Sequence, residues 1–566
     1  MFNRIRDKIL NHHTPITLVL FAICFTLLTS INLTQQNVIG DESVYILEGD
    51  TYLHKKDSFY NNSGSPRFLK LLTGTALFPL SLNRDYSPYY LNTITDVVAS
   101  SKFIYEQNSS FSKQIITLAR IPHFLIGLSL GLAIYLYSKY IFGIKVATFA
   151  LVFYAFNSTI LAHSATANLD IGTTAFMFFT LSFLHIYAIT KFTSQKKHWS
   201  ATALLGVLLG ITQTTKISAV LLYLIFVIAF IVIQHKNRFA HLAAIFITSL
   251  FSIWAVYSFQ IGPFLLPSED SAGILAMVNV IPGVEAHNVW IAQTLRLPIF
   301  PAGAYLNNFT YQLTHNFYGQ SYYLLGELSD KGWWYFTPAI MFIKNSIIFV
   351  TALLIGLLLI ALNKKLSIHA KIILVLWPIL LFAWTVNSRL QLGVRYLMPM
   401  YPSLIIVAAY AISKIKFGKI VLFGSKVYVL PILIMATYAF SNIKSYPNFF
   451  SYISEPYSGS NQLDLVYDSD YDWGQNIYKV SKFQKKHNLE PIYFRGFGGA
   501  NYEKLGIINS SDPVYAFNNK LSGFYAFSHT TFINMRVENP KLYTYFYSEK
   551  PYLVIGKNIY VYKSDF

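Results

Sequence analysis

Asp41 and Glu42 stand side by side just past the first long apolar run of the chain, residues 16–33. At a rise of 1.5 Å per residue that run is long enough to cross a bilayer, so the two acids fall at the membrane surface. A carboxylate at that depth is costly unless it has a task, which marks the pair as a candidate for chemistry. The competing reading is a pair of solvated loop acids. Asp41 is the candidate base: a free Asp, with a pKa near 3.9, is weak at neutral pH, but low dielectric and the charge of Glu42 are expected to raise it.

Other ionisable groups lie at helix ends elsewhere. His163 and Asp170 flank a short turn, Lys216 follows Gln213-Thr214-Thr215, Arg389 and Arg395 precede Tyr396, and Glu327 and Lys344 bracket Gly332-Trp333-Trp334. Each alone is equally well read as an interfacial anchor or a charge snorkelling to water. Their joint position on the Asp41 side is what points to a site. These residue types suit transfer of a sugar from a lipid phosphate to a hydroxyl, which needs a base for the acceptor proton and cations for the departing phosphate. Arg395 and Lys216 fill the second role, Arg through two nitrogens at once, and two cations can substitute for a metal. The histidines His13, His54, His185, His241 and His287 show no i, i+4 spacing and no Cys/His set, so a divalent metal is possible but not predicted. The single cysteine, Cys24, lies inside the first span and reads as packing.

The elements that must position these groups are membrane helices. Of the 566 residues 54% are hydrophobic and only 12% charged, and mean hydropathy is +0.42, which excludes an ordinary water-soluble chain. The net charge of +18 is spread between apolar runs rather than along one stripe, so it encodes topology and not a nucleic-acid partner. After residues 16–33, apolar runs follow at 115–137, 146–161, 171–190, 201–212, 217–233, 242–259, 335–362, 372–386, 396–412 and 420–440, about eleven spans in all. The pair 201–212 and 217–233 could instead form one long bent helix. With Arg4, Arg6 and Lys8 on the cytoplasmic side, the alternate connections carry Lys139, Lys145, Lys191, Lys236, Arg238, Lys364, Lys365 and Lys414, as the positive-inside rule requires.

That topology puts three large segments on the opposite, outer side: a first loop at 34–114, a second at 260–334, and everything past 440. Within the first loop, 67–78 and 94–105 have helical spacing but too few apolar residues to span, and are expected to lie in the interface. Beyond 440 the composition turns polar and aromatic, with strand-like runs at 491–494, 514–517 and 552–562 and a helix near 475–485. The chain thus divides into a transmembrane domain at 1–440 and a small extracytoplasmic α/β domain at 441–566.

The ordered motifs resemble a family. Asp41-Glu42 after the first helix, Leu161-Ala162-His163-Ser164 followed by Asp170, Thr215-Lys216, Tyr323-Leu324-Leu325-Gly326-Glu327 with Gly332-Trp333-Trp334, and Gly393-Val394-Arg395-Tyr396 with Pro399 look like phospholipid-carrier-dependent glycosyltransferases of the GT-C superfamily. Asp468-Ser469-Asp470-Tyr471-Asp472-Trp473-Gly474-Gln475 is similar to a motif opening the exported C-terminal domain of bacterial members. The nearest group is the dolichyl-phosphate-mannose-protein mannosyltransferase-like one, related to protein O-mannosyltransferases and the lipid A aminoarabinose transferase. The resemblance implies an all-α polytopic membrane protein of GT-C fold with the appended α/β domain, a polyprenyl-phosphate sugar donor, a hydroxyl acceptor (protein, lipid A or glycan), inversion at the anomeric carbon and residence in the cytoplasmic (inner) membrane. It implies Asp41 as catalytic acid or base, Asp170 as a second acid and Glu42 as a supporting carboxylate, with His163, Lys216, Glu327, Lys344, Arg389, Arg395, Tyr396 and Arg67 as substrate-binding candidates. The chain departs from the pattern at Ser65-Pro66-Arg67, where relatives often have His-Pro-Pro, and after Lys344, where Asn345-Ser346 replaces Thr-Pro.

Two other readings compete. An oligosaccharide transferase with a diphosphate-linked donor commonly needs a divalent metal, so activity in chelator separates it. A transporter or flippase expects charges near mid-span and inverted repeats, whereas here the charges gather at helix ends on one side.

Overall fold

The structure, a computed structural model, describes residues 13–55, 64–89, 97–266, 288–422, 425–508 and 510–566; Arg4, Arg6, Lys8, His287 and parts of both large loops lie outside the described residues. In chain order the first helices are α1 (His13–Gln35), α2 (Glu42–His54), α3 (Phe68–Thr75), α4 (Val97–Lys102), α5 (Ser112–Phe142), α6 (Ile144–Ala155), α7 (Ser158–Ser164), α8 (Leu169–Ile189), α9 (Gln195–Gln213), α10 (Leu221–Val232) and α11 (Arg238–Val256). Four of them, α1, α5, α8 and α11, are long and apolar enough to cross a membrane, as is the helical run Ile368–Asn387. The pair α6 and α7 is apolar enough together but bends by 64° at Phe156-Asn157, where the Asn157 side chain caps α7 by accepting the Ile160 N–H at 3.0 Å.

Exposed apolar side chains on α1 (Ile16, Val19, Leu20, Ile23, Leu27) repeat at three and four residues, and α11 exposes Phe239, Ile247, Leu250 and Phe251. Such stripes are stable against lipid and not against water. The protein is a multi-pass membrane protein. Each of the expected runs contains helix, but length and hydropathy alone identify five spans, or six with the bent pair; Ile217–Val232, Ile347–Leu362, Met398–Ser413 and Val429–Ile443 are shorter apolar helices. Small residues let the backbones approach: a Cβ at Gly206 of α9 would sit 2.8 Å from the Ile245 carbonyl of α11.

Residues 201–212 and 217–233 are two helices, as expected, because α9 ends at Gln213 and the chain turns through Thr214-Thr215-Lys216 before α10. Other sequence expectations are corrected. The run at 420–440 is half a hairpin: Lys419–Leu422 pairs with Ser425–Tyr428, where β-branched Ile420, Val421 and Val427 favour strand, and helix starts only at Val429. The run at 335–362 breaks at Lys344-Asn345-Ser346. The two segments of the first loop leave Phe78 and Val98 exposed but turn other side chains inward. Lys70 of α3 is buried against Glu48 at 2.7 Å, Arg67 is also buried, and Phe103, Ile104 and Tyr105 pack inward on Ile115.

Past 440, a five-stranded mixed sheet runs in the order Leu553–Ile555, Ile559–Ser564, Gly523–Ser528, Ile492–Arg495, Ser510–Ser511, the first three strands antiparallel and the last two joined in parallel. The expected strand at 514–517 is instead the helix Pro513–Asn518. Asp512 caps it, accepting the Val514 and Tyr515 N–H groups at 2.8 and 3.1 Å, and Pro513 occupies a first-turn position.

One buried ion pair ties the functional end of the bundle together. Arg120, in the third turn of α5, meets Glu42 through two nitrogens at 2.6 Å each. It also donates to the carbonyls of Asn32, Gln36 and Asn37, at 2.8, 3.2 and 2.9 Å, which close the end of α1. The Glu42 carboxylate accepts the Ile39 N–H at 3.1 Å and the Ala167 N–H at 2.8 Å, so the turn preceding α8 joins the same clasp. Two charges removed from water are tolerated only with this full set of partners. Arg120→Met, which strands Glu42, is expected to cost about 3–5 kcal/mol, read as a lowered unfolding temperature in detergent. Adding Glu42→Gln should recover most of that loss.

Candidate active site

Asp41 stands at the N-cap of α2, yet its side chain makes no capping bond, so the carboxylate is not consumed by the helix. The N-terminal end of α2 favours negative charge there. Its side chain is 40% exposed, with Arg395 Nη1 3.6 Å away and the Tyr45 hydroxyl donating weakly at 3.4 Å.

Arg395 is aimed by the C-terminal domain. Only glycine fits at 393, where φ is +78° and the Asp470 carboxylate fills the space a Cβ would need, and Asp470 Oδ1 accepts the Val394 N–H at 2.7 Å. The guanidinium lies 4.7 Å over the Trp473 ring and 5.9 Å from that of Tyr396. Burial works against its charge, but Asp170, Asp41 and Asp468 together outweigh burial and push its pKa further up. Arg395 is a permanent cation.

Asp170 opens α8, whose N-cap Asn168 accepts the Asp170 N–H at 3.1 Å. The carboxylate is buried, held by Lys216 at 2.8 Å and by His163 Nδ1 at 3.4 Å. Lys216 Nζ in turn sits 4.2 Å over Tyr396, a ring that also lies 5.9 Å from the Arg395 guanidinium, so it borders both the Asp170–Lys216 pair and the Asp41–Arg395 pair. Among the described residues no three of His, Cys, Asp and Glu form a set that could hold a metal ion.

The structure therefore brings Asp41, Asp170, His163, Lys216, Arg395 and Tyr396 together, and leaves others apart. Glu42 does not share the Asp41 environment as a free carboxylate; Arg120 neutralises it, which removes the charge expected to act on Asp41. Lys344 is caged by the carbonyls of Phe450, at 2.8 Å, Tyr452, at 2.6 Å, and Asp470, a joint between the domains rather than a substrate contact. Arg389 is exposed and donates to the Phe317 carbonyl at 2.8 Å. Glu327 is exposed on a two-stranded hairpin. Arg67 is buried beside Tyr52, 4.9 Å from its ring, and belongs to the α2–α3 packing.

The sequence reading assigned no roles within the motif at 468–475. Trp473 stacks on Arg395 and occupies the Cβ position of Gly40, whose φ is +45° and whose N–H donates to the Trp473 carbonyl at 3.0 Å. Asp472 ties the motif to the sheet domain, accepting the Thr530 N–H at 2.9 Å and Asn558 Nδ2 at 2.7 Å. Asp468 adds a third acid near Arg395 and Asp41. Burial raises its pKa to about 6, with Asp41 and Asp470 adding to the rise against the pull of Arg395. Arg120 was legible as an arginine inside an apolar helix, a position that needs a reason.

Comparison with known proteins adds a family match. Residues 111–257 match the family model described as dolichyl-phosphate-mannose-protein mannosyltransferase. That segment carries Arg120, His163, Asp170 and Lys216, and over those residues the match agrees with the mannosyltransferase-like resemblance drawn from the motifs. No curated protein matches the chain. Among solved structures, the chain is similar to apo ArnT from Cupriavidus metallidurans at 12% identity and TM-score 0.47, covering 96% of this chain and 97% of that one. It is similar to ArnT bound to undecaprenyl phosphate at 11% identity and TM-score 0.33, covering 97% and 98%. The archaeal oligosaccharyltransferase AglB from Archaeoglobus fulgidus, in complex with an inhibitory peptide and a dolichol-phosphate, matches at 12% identity and TM-score 0.48, covering 93% of this chain and 70% of that one.

Asp468 makes stability depend on pH with a defined sign. Its folded pKa of about 6 lies above the usual carboxylate value, so its ionisation costs the folded state in full above pH 6 and not at all below pH 4. Asp468→Asn removes that cost. Thermal unfolding should show the variant more stable than wild type at pH 7.5, with the difference shrinking towards zero at pH 4.

Proposed function

We propose that the protein is an inverting glycosyltransferase that moves a sugar from a polyprenyl-monophosphate carrier to a hydroxyl acceptor, with Asp41 as the base. One observation carries the reading. Of the three acids that the sequence singled out, Asp170 is occupied by Lys216 and His163 and Glu42 by Arg120, while Asp41 keeps an open carboxylate facing a permanent cation. The family match over residues 111–257 supports glycosyl transfer as the chemistry.

In the reaction the acceptor hydroxyl gives its proton to Asp41 as its oxygen attacks the anomeric carbon from the face opposite the phosphate. The bond from that carbon to the phosphate oxygen breaks, its electron pair stays on the lipid phosphate, and the configuration inverts. Arg395 meets the growing negative charge, with Lys216 behind Tyr396 as the second cation. Asp170 and His163 hold Lys216 in place. The donor reaches the site laterally from the bilayer, and the cytoplasmic connections offer no Gly-rich loop for a nucleotide. On this reading the site and the C-terminal domain face the outside of the cytoplasmic membrane, since the basic connections lie on the other side.

Two experiments test this. Topology reporters fused after Phe440 and after Lys236 should report opposite sides of the membrane; the same side for both would overturn the arrangement. A purified-enzyme assay should use lipid-monophosphate sugars and reject nucleotide sugars supplied without lipid. In it, Arg395→Ala should weaken donor binding and slow transfer, each by about 1.5–3 kcal/mol for a charge-assisted bond. Arg395→Lys should recover only part, since an ammonium lacks the planar fork.

A further inference from the structure

The described chain between the end of α11 and the helix Gly303–Tyr318 carries its larger apolar side chains on the outside. Ile261-Gly262 pairs with Phe300-Pro301 in a short antiparallel ladder. The helix Asn288–Leu295 is tied to the same unit, its Leu295 carbonyl accepting the Phe264 and Leu265 N–H groups at 2.9 and 3.0 Å. Leu265, Ala292 and Ala302 are buried, whereas Phe259, Ile261, Trp290, Leu297 and Ile299 are 48–66% exposed. Residues 257–266 hold no charged side chain and residues 288–301 hold only Arg296. So many large exposed apolar groups with so little charge among them do not make a water-facing surface.

This surface continues one that already faces lipid. α11 exposes Ile247, Leu250 and Phe251, and the Phe251 ring lies 5.6 Å from that of Phe259, two residues before the ladder. The chain leaves α11 through two left-handed residues, Ser258 at φ +54° and Phe259 at φ +57°. That conformation is costly for a phenylalanine, and here the ring is left exposed; burial among acyl chains supplies a compensating gain that water does not. The same end of α11 reaches the functional end of the bundle, since the Tyr257 hydroxyl accepts Asn308 Nδ2 at 3.0 Å and the Arg67 guanidinium lies 6.0 Å from the Tyr257 ring.

We propose that residues 257–266 and 288–301 form a unit seated in the bilayer leaflet at the Asp41 end of the bundle, the outer leaflet on the topology above. Phe259, Ile261, Leu297 and Ile299 lie among acyl chains, and Trp290 sits at the head-group level that suits an indole. A second copy of the chain would have to cover the lipid-facing stripe of α11 as well, because the two surfaces are continuous; the leaflet covers both at once. The helix Gly303–Tyr318 follows the unit directly, and its Asn308 and Gln312 donate to the Ser65 and Gly64 carbonyls at 3.3 and 3.0 Å. The seat in the leaflet therefore holds the second loop against the first. The proposal needs no role for Asp41, and its test needs no turnover.

The test is collision-accessibility electron paramagnetic resonance on the full-length protein in bilayers of phosphatidylethanolamine and phosphatidylglycerol. Cys24→Ala removes the single cysteine, and one nitroxide at a time is placed on Ile261→Cys, Leu297→Cys or Ile299→Cys. All three side chains are exposed, so a label fits without disturbing the core. Leu250→Cys on α11 is the lipid-facing reference, and Tyr515→Cys, exposed on the C-terminal domain, is the water-facing one. The three test labels should match the Leu250 label, with a ratio of oxygen to soluble nickel-chelate collisions several-fold above that of the Tyr515 label, because oxygen concentrates in the bilayer and the chelate stays in water. Ratios at 261, 297 and 299 equal to that of the Tyr515 label would overturn the proposal. Protection of these labels from both reagents would overturn it too, since protein, from this chain or a second copy, would then cover the surface.

Discussion

The Arg120–Glu42 pair is the constraint on which the functional end of this protein depends. Four separate pieces of chain meet there: the end of α1, the start of α2, the third turn of α5 and the turn that leads into α8. Because both charges are buried, neither can drift without leaving the other unpaired, and the cost of that fixes the geometry. Asp41 and Asp170 are each close in sequence to a group held by this pair, so two carboxylates from distant parts of the chain keep a fixed separation. The pair also explains the division of labour in Asp41-Glu42. One acid is spent on architecture, which leaves the other free for chemistry.

The opposing cation is set by a different device. Arg395 belongs to a connection between membrane helices, but its direction comes from the C-terminal domain, through Asp470 beneath Gly393 and Trp473 against the guanidinium. Lys344 fastens the Phe450–Tyr452 segment and Asp470 to the membrane domain from below. The motif at 468–475 is thus a connector with one face on Arg395 and the other, through Asp472, on Thr530 and Asn558. Displacing the C-terminal domain would release Arg395, so the two domains act as one unit at the site.

Much of this was legible in the sequence. Asp41, Asp170, Lys216, Arg395 and Tyr396 come from four distant segments, yet alternating basic connections between apolar runs were enough to put them at one end of the bundle. What hydropathy does not specify is how each helix is rotated and which neighbour it crosses, and the partner of a charge depends on both. Hence Glu42 read as a helper of Asp41 when its partner is Arg120, and Lys344 read as a ligand contact when three carbonyls enclose it. The segment 67–78 read as an interfacial helix because nothing in the pattern announced Glu48 as a buried counter-charge for Lys70. The misread strand at 514–517 had a local cause: Asp512-Pro513 is a helix-start signal that outweighed the β-prone Val514 and Tyr515.

The central claim is that Asp41 takes the acceptor proton while others hold the charge around it. The most direct measurement is turnover and donor affinity, side by side, for Asp41→Asn. The substitution keeps shape and removes the base, so turnover should fall by about two to four orders of magnitude while the donor binds within about threefold of wild type. Near-normal turnover by Asp41→Asn would contradict the account.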